Sequence, residues 1–84
     1  MTVMAESQLT QLVTLIARSL VDQPDQVTVR EVQGERFPRI ELTVAREDIG
    51  KVIGKDGRTA QSIRTVLNAA SSKAGRRVHL DIVD

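Results

Sequence analysis

The spacing of apolar positions changes along the chain, and each change marks an element. From Ser7, the apolar residues Leu9, Leu12, Val13, Ile16 and Leu20 recur at the interval of one helical face. Ser7 suits the N-cap and the Asp22-Gln23-Pro24-Asp25 cluster stops the pattern, which predicts a helix over about residues 7–21. Residues 26–32 are rich in β-branched side chains (Val27, Thr28, Val29, Val32). Residues 39–45 alternate, with Ile40, Leu42 and Val44 on one side and Arg39, Glu41 and Thr43 on the other. Between these two strands, Gln33-Gly34-Glu35-Arg36-Phe37-Pro38 reads as a hairpin loop, so the strands are expected to pair antiparallel.

After Ala45 the helical period returns. Ile49, Val52 and Ile53 share one side of a short helix that ends at Gly54. A longer helix follows over about residues 58–74, with Ala60, Ile63, Val66, Leu67, Ala70 and Ala74 inward and Gly75 as its left-handed cap. Residues 77–83 alternate again, Val78, Leu80 and Ile82 opposing Arg77, His79 and Asp81. The order is helix, strand, strand, helix, helix, strand. A crossover through two helices favours a parallel pairing of the last two strands. The expected class is α+β: a three-stranded mixed sheet with helices on one face.

Composition narrows the class further. The chain has 84 residues, 40% of them apolar, with no cysteine, tryptophan or tyrosine and a single phenylalanine. Val, Leu, Ala and Ile must therefore make an aliphatic core, enough for one small domain. Without cysteine there is no disulfide framework and no thiolate metal site, which fits a reducing cytoplasm. No apolar run approaches the roughly 18 residues of a membrane span, and the N-terminus lacks a signal-peptide layout. No cofactor is implied.

The net charge of +1 hides an asymmetry. Residues 46–77 hold eight basic and three acidic side chains, a balance of +5, while residues 1–45 and 78–84 each balance at −2. The basic segment includes Arg46, Lys51, Lys55, Arg58, Arg64, Lys73, Arg76 and Arg77. Such a segment suits an anionic partner. Within it, Ile49-Gly50-Lys51-Val52-Ile53-Gly54-Lys55-Asp56-Gly57-Arg58 sets two glycines three apart between two helices. Glycines let a ligand backbone approach, and the N-terminus of the second helix presents amide N–H groups and the positive end of its dipole. Lys55 and Arg58 add full charges, so the turn favours phosphate. Ile49, Val52 and Ile53, with Ile63 opposite, suit the floor of a shallow groove for bases.

The Ile53-Gly54-Lys55-Asp56-Gly57 run, inside a strand-helix-turn-helix-strand unit, resembles the Ile-Gly-x-x-Gly signature of KH domains. The extra N-terminal helix and the final strand resemble the type II arrangement. Residues 52–64, Val-Ile-Gly-Lys-x-Gly-Arg-x-Ala-x-x-Ile-Arg, are similar to the small bacterial single-KH RNA-binding family (KhpA/YlqC-like). The resemblance implies a single KH domain over residues 1–84, with its strand-helix-GxxG-helix-strand core at about residues 39–83. It implies binding of single-stranded RNA, the loop clamping the backbone of about four nucleotides. Gly54, Lys55, Asp56 and Gly57 carry over onto the loop and Arg58 onto the helix start. Residues 34–38 match the variable loop, making Arg36 and Arg39 auxiliary contacts. The family also implies self-association as a homodimer, a KhpB (Jag/EloR)-like KH partner, RNA chaperoning and post-transcriptional control, and a part in cell elongation, cell shape and regulation of peptidoglycan synthesis. Asp56 places a carboxylate where many KH loops are neutral or basic, and Phe37 is the sole aromatic. Binding is therefore expected to be weak and sequence-tolerant.

Other candidates carry less. His79 stands alone with Asp81 on its side of the last strand, without partners for catalysis or metal binding. Gly50-x-x-x-Gly54-Lys55 differs from a nucleotide-binding P-loop by one intervening residue and by Asp56 in place of Ser/Thr. Glu47 and Asp48 open a helix, where acidic residues complement the dipole. No enzyme is expected. The alternative is an assembly module whose partner supplies the RNA binding.

Overall fold

The computed structural model describes residues 6–33, 36–73, 75 and 77–83, with side chains from residue 8 onward. The elements run α1 (Glu6–Leu20), β1 (Thr28–Gln33), β2 (Pro38–Thr43), α2 (Ile49–Ile53), α3 (Arg58–Lys73) and β3 (His79–Val83). Single 3-10 turns at Pro24–Gln26, Arg46–Asp48 and Lys55–Gly57 join them. The Ser7 cap, the loop positions Gly34 and Glu35, the inward Ala74 and the basic Arg76 lie outside the described residues and side chains.

The sheet order is β1-β2-β3, with β1 antiparallel to β2 and β2 parallel to β3. Register follows the alternation: Glu31 pairs with Ile40 and Ile40 with Leu80, while Val29, Leu42 and Ile82 form the next row of the same face. That face carries the helices, and Leu9, Val13 and Ala17 of α1 meet Ile40, Leu42, Val52, Ile63, Leu67, Val78 and Leu80 in one aliphatic core. The opposite face presents Thr28, Arg30, Arg39, Thr43, His79 and Asp81 to solvent. This is the α+β sandwich that the periodicity predicts.

Several boundaries shift. Gln26 belongs to a 3-10 turn rather than to β1, β2 stops at Thr43, and β3 begins at His79. On α3, Val66 is 46% exposed rather than inward. It lies roughly a quarter turn off the Ala60-Ile63-Leu67 stripe, and Ser71 takes the buried place instead. On α1, Leu20 is exposed, while Ala17 is buried.

Leu67→Ala should cost about 2–5 kcal/mol in a denaturant melt, the usual range for a leucine emptied from a closed core. Val66→Ala should stay within about 0.5 kcal/mol of zero. Equal losses would mean that α3 is rotated relative to the sheet.

Candidate nucleic-acid interface

The α2–α3 turn takes its shape from two left-handed glycines. Gly54 has φ +77°, and a Cβ there would lie 2.6 Å from Thr59 Cβ and 2.9 Å from the Thr59 amide nitrogen. No side chain fits at Gly54, because α3 begins directly over it. Gly57 has φ +72° but open space around it, with nothing within 4 Å of a Cβ position. One glycine is required by packing; the other leaves backbone that a ligand can reach. Asp56 between them is also left-handed, with φ +56°, a region that Asp tolerates better than most side chains.

The amides of this turn are less available than the sequence suggests. The Gly54 N–H donates to Gly50 O at 2.8 Å, the Gly57 N–H to Gly54 O at 3.1 Å, and the Arg58 N–H to Lys55 O. These bonds close the turn on itself. Attraction for phosphate therefore rests on the exposed Lys55 and Arg58 side chains and the dipole of α3, rather than on those N–H groups.

The apolar residues beside the loop divide. Val52 and Ile63 are buried in the core and support the turn from beneath. Ile53 is 39% exposed and Ile49 half-buried, so these two supply the apolar surface next to the loop. Arg36 and Arg39 are exposed at the hairpin, and Arg39 pairs with Glu41 at 3.5 Å. Phe37 is not an open platform: the Arg77 guanidinium lies 5.2 Å over its ring and the His79 ring 5.3 Å away, tilted by 43°.

Asp48 is a correction to its reading as a helix-end charge. Its side chain caps nothing and is 1% exposed. The N–H groups of Asp22 and Gln23 donate to its two oxygens at 3.3 and 3.0 Å, and Lys51 Nζ donates at 3.2 Å. Lys51 also pairs with Asp22 at 3.2 Å, and Gln23 Nε2 donates to Glu47 at 2.8 Å. This cross-link fastens the segment after α1 to the start of α2, and it neutralises Lys51 locally. Burial pushes the Asp48 carboxyl up, but the Asp22 N–H, the Lys51 ammonium and the Gln23 N–H outweigh it and hold it below the ordinary 3.8. Hydrogen bonds to Asp48 and Asp22 hold Lys51 above 10.5. Only Lys51, three residues on, is a local partner; the two backbone N–H groups that hold the carboxylate lie more than twenty positions away, so the sequence alone does not mark Asp48.

The KH-domain profile described as KhpA/KhpB matches residues 10–82. This chain belongs to that family. RNA-binding protein KhpA of Clostridium acetobutylicum is 56% identical over 73 residues, covering 87% of this chain and 97% of the relative. The protein of the same name from Aquifex aeolicus is 47% identical over 78 residues, covering 93% and 99%. That of Borreliella burgdorferi is 45% identical over 74 residues, covering 88% and 90%. A crystal structure of Aquifex aeolicus Era bound to GDP and aluminium fluoride superimposes with a TM-score of 0.62 at 22% identity. It covers 88% of this chain but only 29% of that one, and shows the KH fold recurring as part of a larger protein. The match spans the 54–57 turn, Gly-Lys-Asp-Gly in sequence.

Two expectations follow from the geometry. Gly54→Ala should cost well over the roughly 1–2 kcal/mol of a left-handed alanine, because Thr59 must also move, while Gly57→Ala should cost only about that amount. Denaturant melts of both variants check the contrast; equal costs would mean that Thr59 does not seal the turn. For Asp48, the folded carboxyl lies below 3.8, so its contribution is complete above 3.8 and disappears as pH falls from there through the folded value. Asp48→Asn should be less stable at neutral pH and lose that part of the acid-side slope. An unchanged slope would remove the carboxylate from the acid unfolding of the native chain.

Proposed function

We propose that this chain binds single-stranded RNA, with loop 54–57 clamping the sugar–phosphate backbone. The observation that carries this reading is the open backbone at Gly57, flanked by exposed Lys55 and Arg58 at the start of α3. Family membership and the names of the relatives support it. Gly54, Lys55, Asp56, Gly57 and Arg58 make the clamp, Ile53 and Ile49 supply apolar contact beside it, and Arg36 and Arg39 reach the strand from the hairpin. Val52 and Ile63 act from beneath by holding the turn. Catalysis has no part in this reading.

The wider role follows the family: a cytoplasmic RNA chaperone and post-transcriptional regulator, working with a KhpB (Jag/EloR)-like partner in cell elongation and envelope control. Self-association has its own support. Leu15, Ile53 and Val66, on three different helices, leave large apolar side chains in solvent that a second copy would cover. Light scattering should report a dimer at high concentration, and a monomer throughout would remove that part of the proposal.

Lys55→Asp gives the loop two adjacent carboxylates while leaving both glycines in place. Titration with a short single strand at low salt should show affinity falling about tenfold or more, with the melt unchanged. Full affinity in the folded variant would exclude the loop as the clamp. For the unmodified chain, three or four phosphate contacts predict a slope of log affinity on log salt of roughly −2 to −3. Asp56→Asn keeps a residue that tolerates the left-handed conformation and removes one charge. It should bind more tightly and steepen the slope by up to about 0.7, the increment for one further phosphate. A slope steeper than about −5, with duplex RNA preferred, would mean that the basic segment tracks a helix backbone.

A further inference from the structure

Away from the glycine loop, at the other end of α3, an open cleft of about 430 Å³ lies between that helix and the start of β3. Asn68, Ser71, Ser72, Arg77 and His79 line it. The described lining residues all carry polar groups, include no carboxylate and supply one permanent cation. The lining is also braced: Ser71 Oγ donates to Asn68 O at 3.2 Å, and Arg77 and His79 both rest on the Phe37 ring. These contacts hold the guanidinium in place without neutralising it, since the ring carries no net charge.

We propose that this cleft is a second nucleotide-binding site for the same RNA strand that the loop clamps, Arg77 taking a phosphate and the Asn68 amide facing a base. The inference rests on the RNA-binding reading of loop 54–57 and extends its footprint. Position along α3 carries it. Asn68 lies about 15 Å and Ser72 about 21 Å along the helix axis from Arg58, at 1.5 Å per residue. Arg64, Asn68 and Ser72 are spaced i, i+4, i+8, so they form one row on the helix surface. Beside it Arg58, Thr65 and Ser72, seven residues apart, form an exposed polar row that leads from the basic loop to the cleft, with cations at its two ends, Arg58 and Arg77. A strand held by its backbone at the loop reaches the cleft by continuing along this row, beyond the roughly four nucleotides that a KH loop clamps.

The test compares a four-nucleotide and an eight-nucleotide single strand of the same uridine-rich composition, titrated into the full chain. The eight-nucleotide strand should bind about tenfold more tightly than the four-nucleotide strand, the gain expected from one further phosphate contact and one held base. Arg77→Ala should abolish most of that gain while four-nucleotide affinity stays within about twofold. Asn68→Asp, which puts a carboxylate into the cleft from an exposed helix position, should do the same, and a thermal melt confirms that each variant is folded. No gain with length in the unmodified chain, beside normal four-nucleotide binding, overturns the cleft and leaves the loop standing. A gain that survives both substitutions also overturns it. Failure of both strands to bind overturns the loop reading and the cleft together. A glutamate-rich peptide whose binding depends on Arg77, with the RNA gain untouched by Arg77→Ala, would assign the cleft to an acidic polypeptide instead.

Discussion

Everything distinctive in this molecule turns on the close approach of Thr59 to Gly54. Because α3 starts over the Gly54 backbone, the chain reverses within a single 3-10 turn, and α3 runs back along the sheet to deliver β3 beside β2. The same reversal puts Lys55 and Arg58 at one end of the molecule and leaves Gly57 uncovered. A β-carbon at Gly54 would force the helix away, and the aliphatic contacts of Ile63 and Leu67 would weaken with it. Asp48 secures the other side of this junction by tying the start of α2 to the chain leaving α1. The turn is thus fixed by a steric contact on one side and a buried carboxylate on the other.

That arrangement changes how the charge of the basic segment is read. Lys51 is held by Asp22 and Asp48, and beside the segment Arg39 pairs with Glu41. The cations of the loop region left to face solvent beside the turn are Lys55 and Arg58, opposed by Asp56. Surface pairs of this kind contribute little stability, but they flatten the local field. A modest electrostatic contribution to binding follows, even though the segment's formal balance is +5.

The architecture was legible because period and composition agree. The alternation of Ile40, Leu42 and Val44, the β-branched run before it, and the helical stripe of Ala60, Ile63 and Leu67 each point to one face, and the structure packs those faces together. The glycine turn was legible from spacing. What escaped depends on distance in sequence. Asp48 looks like any acidic residue opening a helix until the fold brings Asp22 and Gln23 onto its oxygens. Val66 carries an apolar side chain on a face that nothing covers, and Phe37 finds Arg77 and His79 only once β3 is beside β2. The Gly54 amide is taken by the last turn of α2 and those of Gly57 and Arg58 by bonds three residues back, none of which a bare glycine pair reveals. Local pattern specifies elements; long-range satisfaction of polar groups specifies which of their charges remain available.

Backbone amide chemical shifts, followed while short single-stranded RNA is added to the folded chain, test the role of the glycine loop most directly. The largest changes should fall on Gly54, Lys55, Asp56, Gly57 and Arg58, with smaller ones at Ile49 and Ile53. Changes confined to the exposed side of α1 around Leu15, with the loop amides unmoved at saturation, would contradict it.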